Sequence, residues 1–380
     1  MSNTLTNLIP TMYEALDLVS RELVGFIPAV GKDSTTDQAA VGQTVRSPVV
    51  PAMAAADITP SNVSSTGSDR SINYVDMQLT KARKVSFHLT GEQQKGLGVN
   101  NASIARDSFT QAFRTLTNEI EAALAGLYVS ASRAYGTAGT TAFGTAGDLS
   151  DVAQLVKMLD DNGAPRTNRK LVLGTSAMAN IRGKQSVLFK VNEAGTSDLL
   201  RRGIVGNLQG FEIHDSAQVL SVTKGTGASY TTNTAGYAVG STVITLITGT
   251  GTVLAGDVVT FAGDTNKYVV AVGTSAAGPI TLAAPGLLQA IPTSATAMTI
   301  GNNYVANCAF TPNAFQLATR TPAVPDGGDN ADDRMYIQDP VSGLAYEVAV
   351  YRQYRQVSFE VGIVYGVKAI KPEHSVMLLG

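Results

Sequence analysis

Tryptophan is absent, cysteine occurs once and histidine three times in 380 residues. Without tryptophan, a sugar-binding β-barrel reading loses its usual stacking side chain. Cys308 alone excludes an intrachain disulfide and fits a reducing cytoplasm. His88, His214 and His374 lie far apart with no cysteine or second histidine beside them, which disfavours a zinc site. Charged residues make up 15% of the chain, against roughly 25% in ordinary soluble proteins. The net charge of −2 favours neither a polyanion-binding nor a membrane-seeking surface. No apolar run approaches the ~18 residues of a spanning helix. The start, Met1-Ser2-Asn3-Thr4-Leu5, has no basic region followed by an apolar core and does not read as a signal peptide. With so little charge, either Thr, Ser, Asn and Gly cover the surface or other copies of the chain do.

What is present is organised around residues 101–134. Phe109, Phe113, Leu116, Ile120, Leu124, Leu127 and Ala131 recur at steps of three or four, the stripe of one long α-helix. At 1.5 Å per residue it would run about 50 Å. Such a helix needs a partner along its stripe, because packing rather than propensity stabilises it. Before it, Leu5, Leu8, Ile9, Met12, Leu16, Val19, Leu23 and Ile27 predict an amphipathic helix ended by Pro28, with 31–43 a loose connection. Residues 44–90 read as two extended arms around a tip at 52–71 rich in Ala, Ser, Thr, Gly and Pro, with Lys81, Arg83 and Lys84 breaking the returning arm.

After a Gly/Thr-rich loop, 148–161 predicts a helix stopped by Asn162-Gly163-Ala164-Pro165, and 170–174 a buried strand. Short helices at 175–182 and 197–205 and a strand at 211–216 complete an α+β region. Residues 218–303 then carry only Lys224, Asp257, Asp264 and Lys267 as charged groups and are crowded with Thr, Gly, Ala and Val. Short alternating runs bounded by glycine predict an inserted all-β module, a small barrel or sandwich. A short helix is expected from Thr311-Pro312-Asn313-Ala314-Phe315, and long strands over 344–370.

Chemistry is sparse. Gly91 to Gly98 has a phosphate-loop glycine spacing but lacks the Lys and Ser/Thr that should follow. Gly225-Thr226-Gly227 and Gly249-Thr250-Gly251 read as turns. No Gly-x-Ser-x-Gly elbow occurs, and Cys308 reads as a small core residue. Asp160/Asp161 end a helix. Asp326, Asp329, Asp332 and Asp333 are the weak candidates for holding Ca²⁺, with a solvated acidic loop as the alternative. No catalytic residue and no cofactor is assigned.

The order of parts resembles the major capsid (coat) protein of tailed bacteriophages, of the short-tailed type with an inserted β domain. The resemblance is carried by Leu199-Leu200-Arg201-Arg202-Gly203 running to Phe211-Glu212-Ile213, by Gly256-Asp257-Val258-Val259-Thr260-Phe261-Ala262-Gly263, and by Val364-Tyr365-Gly366-Val367-Lys368-Ala369-Ile370-Lys371-Pro372-Glu373. It implies an α+β, HK97-like capsid fold: an N-terminal arm at 1–43, an extended β loop (E-loop) at 44–90, and a peripheral domain with spine helix at 91–164. The axial domain would occupy 165–217 and 304–334, the inserted β domain 218–303, and peripheral C-terminal strands 335–380. It further implies a non-enzymatic subunit forming pentamers and hexamers of an icosahedral head around double-stranded DNA, through a procapsid that expands. Implied partners are a scaffolding protein, a portal protein, DNA held non-specifically and a possible decoration protein, with no membrane. Assembly would take place in the bacterial cytoplasm. Lys81, Arg83, Lys84, Arg201 and Arg202 are the expected subunit-contact residues. The alternatives are an encapsulin-type nanocompartment enclosing an enzyme cargo, and a surface adhesin.

Overall fold

The structure, a computed structural model, describes residues 8–20, 24–49, 55, 57–58, 60, 72–97, 101–185 and 205–380. Helices α1 (Ile9–Ser20) and α2 (Phe26–Ala29) lead into strand β1 (Gly31–Ala39). Strands β2 (Thr44–Val49) and β3 (Asn73–Gln78) pair, among the described residues, only with each other, as an antiparallel ribbon. Next come β4 (Lys81–Thr90), α3 (Gly91–Leu97) and the long α4 (Asn101–Ala125). Strand β5 (Arg133–Tyr135), α5 (Ser150–Asp161), β6 (Arg169–Leu173) and α6 (Thr175–Lys184) follow, then β7 (Asn207–Leu208), β8 (Phe211–Asp215) and β9 (Ser221–Val222). The Thr-rich region gives β10 (Thr231–Thr232), β11 (Val243–Ile247), β12 (Val258–Phe261), β13 (Lys267–Val272), β14 (Pro279–Leu282) and β15 (Met298–Ile300). The chain closes with β16 (Tyr304–Phe310), β17 (Phe315–Pro322), β18 (Asp333–Gln338), β19 (Ala345–Gln353), β20 (Gln356–Ala369) and β21 (Ser375–Leu379).

The helical stripe meets its partner here. Phe109, Phe113, Leu116, Ile120 and Leu124 are buried against Tyr346, Val348, Val350, Phe359, Val361 and Ile363 of the sheet β1-β17-β20-β19-β18, to which β4 adds on β20. Edge-on ring contacts fix the crossing: Phe87 to Phe109 at 5.0 Å and Phe113 to Tyr346 at 5.1 Å. The other side of α4 receives α1, whose Met12, Ala15, Leu16 and Val19 are buried. The amphipathic arm therefore docks on its own chain.

A second sheet runs β10-β11-β14-β13-β5-β21-β16-β6-β8-β7, with β12, β15 and β9 at its sides. Around β6, β16 and β21, helices α5 and α6 bury Val152, Leu155, Leu159, Met178 and Ile181 with Phe211 and Leu378. A separate cluster, Tyr230, Ile244, Leu246, Val259, Phe261, Val270, Ile280, Leu282 and Met298 among others, is drawn entirely from the Thr-rich region.

Several expectations are corrected. The helix expected over 101–134 ends at Ala125, about 37 Å long. It tightens into a 3-10 segment, Gly126–Ser130, and Arg133 and Ala134 are claimed by strand pairing with Tyr268 and Lys267. The connection expected at 31–43 contains strand β1, parallel to β17. Its polar side chains suit an edge: Ser34 Oγ lies 2.7 Å from Thr319 Oγ1, and Arg320 pairs with Asp33 at 3.0 Å. The returning arm of 44–90 is divided. Its second half, β4, is a strand of the main sheet with Phe87 beside Phe359. The helix expected from Thr311 is a turn, and Phe315 opens β17 instead, its ring tilted at 50° against Phe310 with centroids 4.8 Å apart. The expected small β module does close on itself, since β10-β11-β14-β13-β12-β15 returns to β10 through the Thr231–Ala297 bridge, and β13 in addition continues through β5 into the second sheet. The helix expected over 197–205 lies almost wholly outside the described residues.

The ribbon root closes against β20 at Gly366. A Cβ there would stand 2.1 Å from the Gln78 carbonyl oxygen, so no other residue fits without moving the ribbon. From the α4 packing we predict that Phe113→Ala lowers stability by about 3–5 kcal/mol and Ile120→Ala by about 2–5 kcal/mol. Urea unfolding followed by circular dichroism checks both.

Candidate assembly surfaces

Of the residues expected to meet a neighbour, Lys81, Arg83 and Lys84 have partners within the chain. On β4, Arg83 Nε lies 2.7 Å from Glu119 Oε1 on α4, and Lys81 Nζ is 3.7 Å from the same oxygen. Lys84 Nζ pairs with Glu360 on β20 at 2.8 Å. The basic run thus ties β4 to the helix and sheet beside it, through half-exposed pairs of modest strength. Arg201 and Arg202 lie outside the described residues.

The acidic loop is likewise committed. Asp329 receives Arg334 at 2.6 Å and the Tyr351 hydroxyl at 3.0 Å, and Asp332 pairs with Arg352 at 2.8 Å. Asp333 accepts the Arg334 amide at 2.8 Å. Asp329 and Asp332 neutralise arginines, and the four carboxylates do not converge on one point. Among the described residues, no three His, Cys, Asp or Glu side chains group as a metal site would. His214 Nε2 lies 3.2 Å from Glu212, which also pairs with Lys170. Burial lowers the His214 pKa.

Two buried carboxylates escape the sequence reading, and each fastens separate segments. Glu121 of α4 is 1% exposed. Its Oε1 accepts the Gly25 and Phe26 amides at 2.7 Å each and the Ser216 hydroxyl at 2.8 Å, while Oε2 accepts the Ile27 amide at 2.9 Å. Burial pushes the carboxyl above the usual range, against the pull of these four donors. Gly25 is needed here, since a Cβ would sit 2.8 Å from the Asp215 carbonyl oxygen. Asp257 does similar work at the root of the β module. It accepts the Leu254 amide at 2.7 Å and the Gly225 amide at 3.0 Å. Glu121 stands one step off the apolar stripe, where sequence gives no sign that a buried face continues.

Two depressions hold about 670 and 680 Å³. The first lies between Leu89, Glu92 and the Tyr354–Arg355 turn. The second is lined by Thr137, Asp151, Asn180 and Lys184, with Asp151 already accepting the Phe143 amide at 2.8 Å. Large apolar side chains are exposed at Tyr13 and Leu18 of α1, Ile72 and Tyr74 at the ribbon, Tyr354 on the β19–β20 turn, and Val239, Val243 and Val272 of the β module.

No protein-family model matches the chain, and no curated relative does. Among solved structures it is similar to the capsid of cyanophage P-SCSP1u, at 11% identity over 92% of this chain and 86% of that one, with a TM-score of 0.49. It is similar to the mature capsid of bacteriophage PhiM1, at 11% identity over 93% and 86%, with a TM-score of 0.48. It is also similar to the virus-like particle from Pyrococcus furiosus, at 10% identity over 97% and 98%, with a TM-score of 0.43.

Two predictions follow from the buried groups. Glu121→Gln leaves amide donors facing an NH₂ and should lower stability by about 1–3 kcal/mol, read from the urea midpoint at constant slope. Cys308 is buried and its thiol is pushed up to about 12. It should resist iodoacetamide in the folded protein and react only after unfolding, as mass spectrometry would show.

Proposed function

We propose that the chain is a structural subunit that assembles with copies of itself into a closed shell, the head of a tailed bacteriophage around double-stranded DNA. The observation that supports this reading is the spread of exposed apolar side chains over the arm helix, the two-stranded ribbon, a strand turn and the inserted module. A shell subunit needs several such surfaces, each geometrically repeated and individually weak. The arm, ribbon, long helix and inserted module follow the order that the resemblance to tailed-phage coat proteins implies.

On this reading α4 is the spine of a peripheral domain, the ribbon reaches a neighbouring subunit, and the β6–α6 region with β16 belongs to an axial domain. The arm then lies on the spine in one state of the shell and shifts in another. Scaffolding and portal proteins would be its assembly partners.

Electron microscopy of the purified protein tests the proposal. Rings or closed shells are expected, and protein that sediments only as a monomer under every assembly condition overturns it. Particles filled with an enzyme instead of DNA would point to a nanocompartment. Deleting 52–71 should leave the cooperative melt unchanged while shells become fewer and less stable, as counted in micrographs and by sedimentation.

A further inference from the structure

The sheet β1-β17-β20-β19-β18 turns one face to α4 and the other to the connection between β17 and β18. Along β19, Tyr346, Val348 and Val350 belong to the α4 core, so Glu347, Ala349 and Tyr351 point away from it. On that far side Glu347 lies between Tyr336 of β18 and Gly362 of β20, with Lys84 of β4 beyond Gly362. The next row across is Arg334, Ala349 and Glu360. The connection 323–332 leaves β17 over this face. Pro322 rests on Gly362, where an added Cβ would stand 3.1 Å from the proline Cγ. Further on, Asp329 meets Arg334 at 2.6 Å and accepts the Tyr351 hydroxyl at 3.0 Å. The connection is thus a strap anchored at both ends.

Glu347 is caught beneath it. The residue is 7% exposed, and its Oε2 is buried with no hydrogen-bond partner. Its Oε1 lies 3.1 Å from Arg334 Nε, but that arginine is shared with Asp329. Lys84, the other cation on this face, is taken by Glu360 at 2.8 Å. The groups facing Glu347 are therefore Asp329 from the strap, Arg334 and Tyr336 from β18, Tyr351 from its own strand, Glu360 from β20 and Lys84 from β4. Counting Glu347 itself, three carboxylates stand against two cations. A buried anionic oxygen that receives no donor costs more than a neutral one. Burial raises the Glu347 pKa; Arg334 pulls it back, and Asp329 and Glu360 push it further up. For Asp329, despite desolvation, the Ala331 amide, the Tyr351 hydroxyl and Arg334 hold the pKa below the usual value.

We propose that Glu347 makes 323–332 a proton-sensitive strap, closed over the sheet while the carboxyl is neutral and loosened once it ionises. Opening gives the charged Oε2 water in place of its missing donor and moves the Asp329 charge away. Closure holds the carboxyl above the ordinary value that it regains when open. Closure is therefore fully favoured below the ordinary carboxylate range and is lost as pH rises through the raised value. Protonation of Asp329 would act in the opposite sense, loosening the strap in acid. The device belongs to the single chain and does not require that shells form.

Hydrogen exchange read by mass spectrometry tests this on the soluble full chain, from about pH 4 to about pH 9 and corrected for intrinsic amide rates. Peptides of the strap should lose protection as pH rises, by at most about tenfold per pH unit for one proton, while peptides of α4 keep theirs. Glu347→Gln, neutral throughout, should keep the strap protected and flatten the profile. Glu360→Gln removes a like charge and frees Lys84, so the loss should move to lower pH; this variant keeps the test open if the first fails to fold. Protection that does not change with pH, a Glu347→Gln profile that falls as the parent chain does, or an unmoved midpoint in Glu360→Gln overturns the proposal. Loss confined to the acid side would assign the response to Asp329 and overturns it too.

Discussion

A single carboxylate, buried on α4, holds together three parts of the chain that are far apart in sequence. Glu121 takes main-chain donors from Gly25 to Ile27 and the hydroxyl of Ser216. Burying that group carries a large desolvation penalty, which only a full set of donors offsets. The arrangement is therefore all-or-none in character. Apolar burial of α1 along α4 supplies the bulk of the attachment, and the carboxylate fixes its register.

The inserted module repeats this logic at its own root. Asp257 gathers the amides of Gly225 and Leu254, and the Tyr304 hydroxyl donates to the Gly256 carbonyl. Beside it, Lys267 reaches the Gly136 carbonyl and β13 pairs with β5. The module has its own hydrophobic cluster, yet its sheet is continuous with the body. It is a projection with a stiff base rather than a bead on a linker.

Periodicity made some of this legible and pair chemistry hid the rest. The stripe from Phe109 to Leu124 could be read because helix spacing and burial coincide there. The 3-10 turn after Ala125 could not, because Leu127 and Ala131 continue the spacing while strand pairing removes Arg133 from the helix. The strand Gly31–Ala39 carries polar residues and reads as a loop; only the partner β17 shows it to be an edge. At the surfaces, Lys81, Arg83 and Lys84 were visible as a basic run, but their partners Glu119 and Glu360 lie 35 residues or more away in the chain. Glu121 and Asp257 offered no local signal, since the same side chains on a solvated face would look identical.

Gly366 has a consequence beyond its own backbone. The hydrogen atom it carries in place of a side chain lets the Gln78 carbonyl close on β20, and so sets the angle at which the ribbon leaves the sheet. On the shell reading proposed above, one tilted ribbon is never one error: the same misorientation would recur at every copy, and curvature meant to close into a sphere would drift toward a tube or an open sheet.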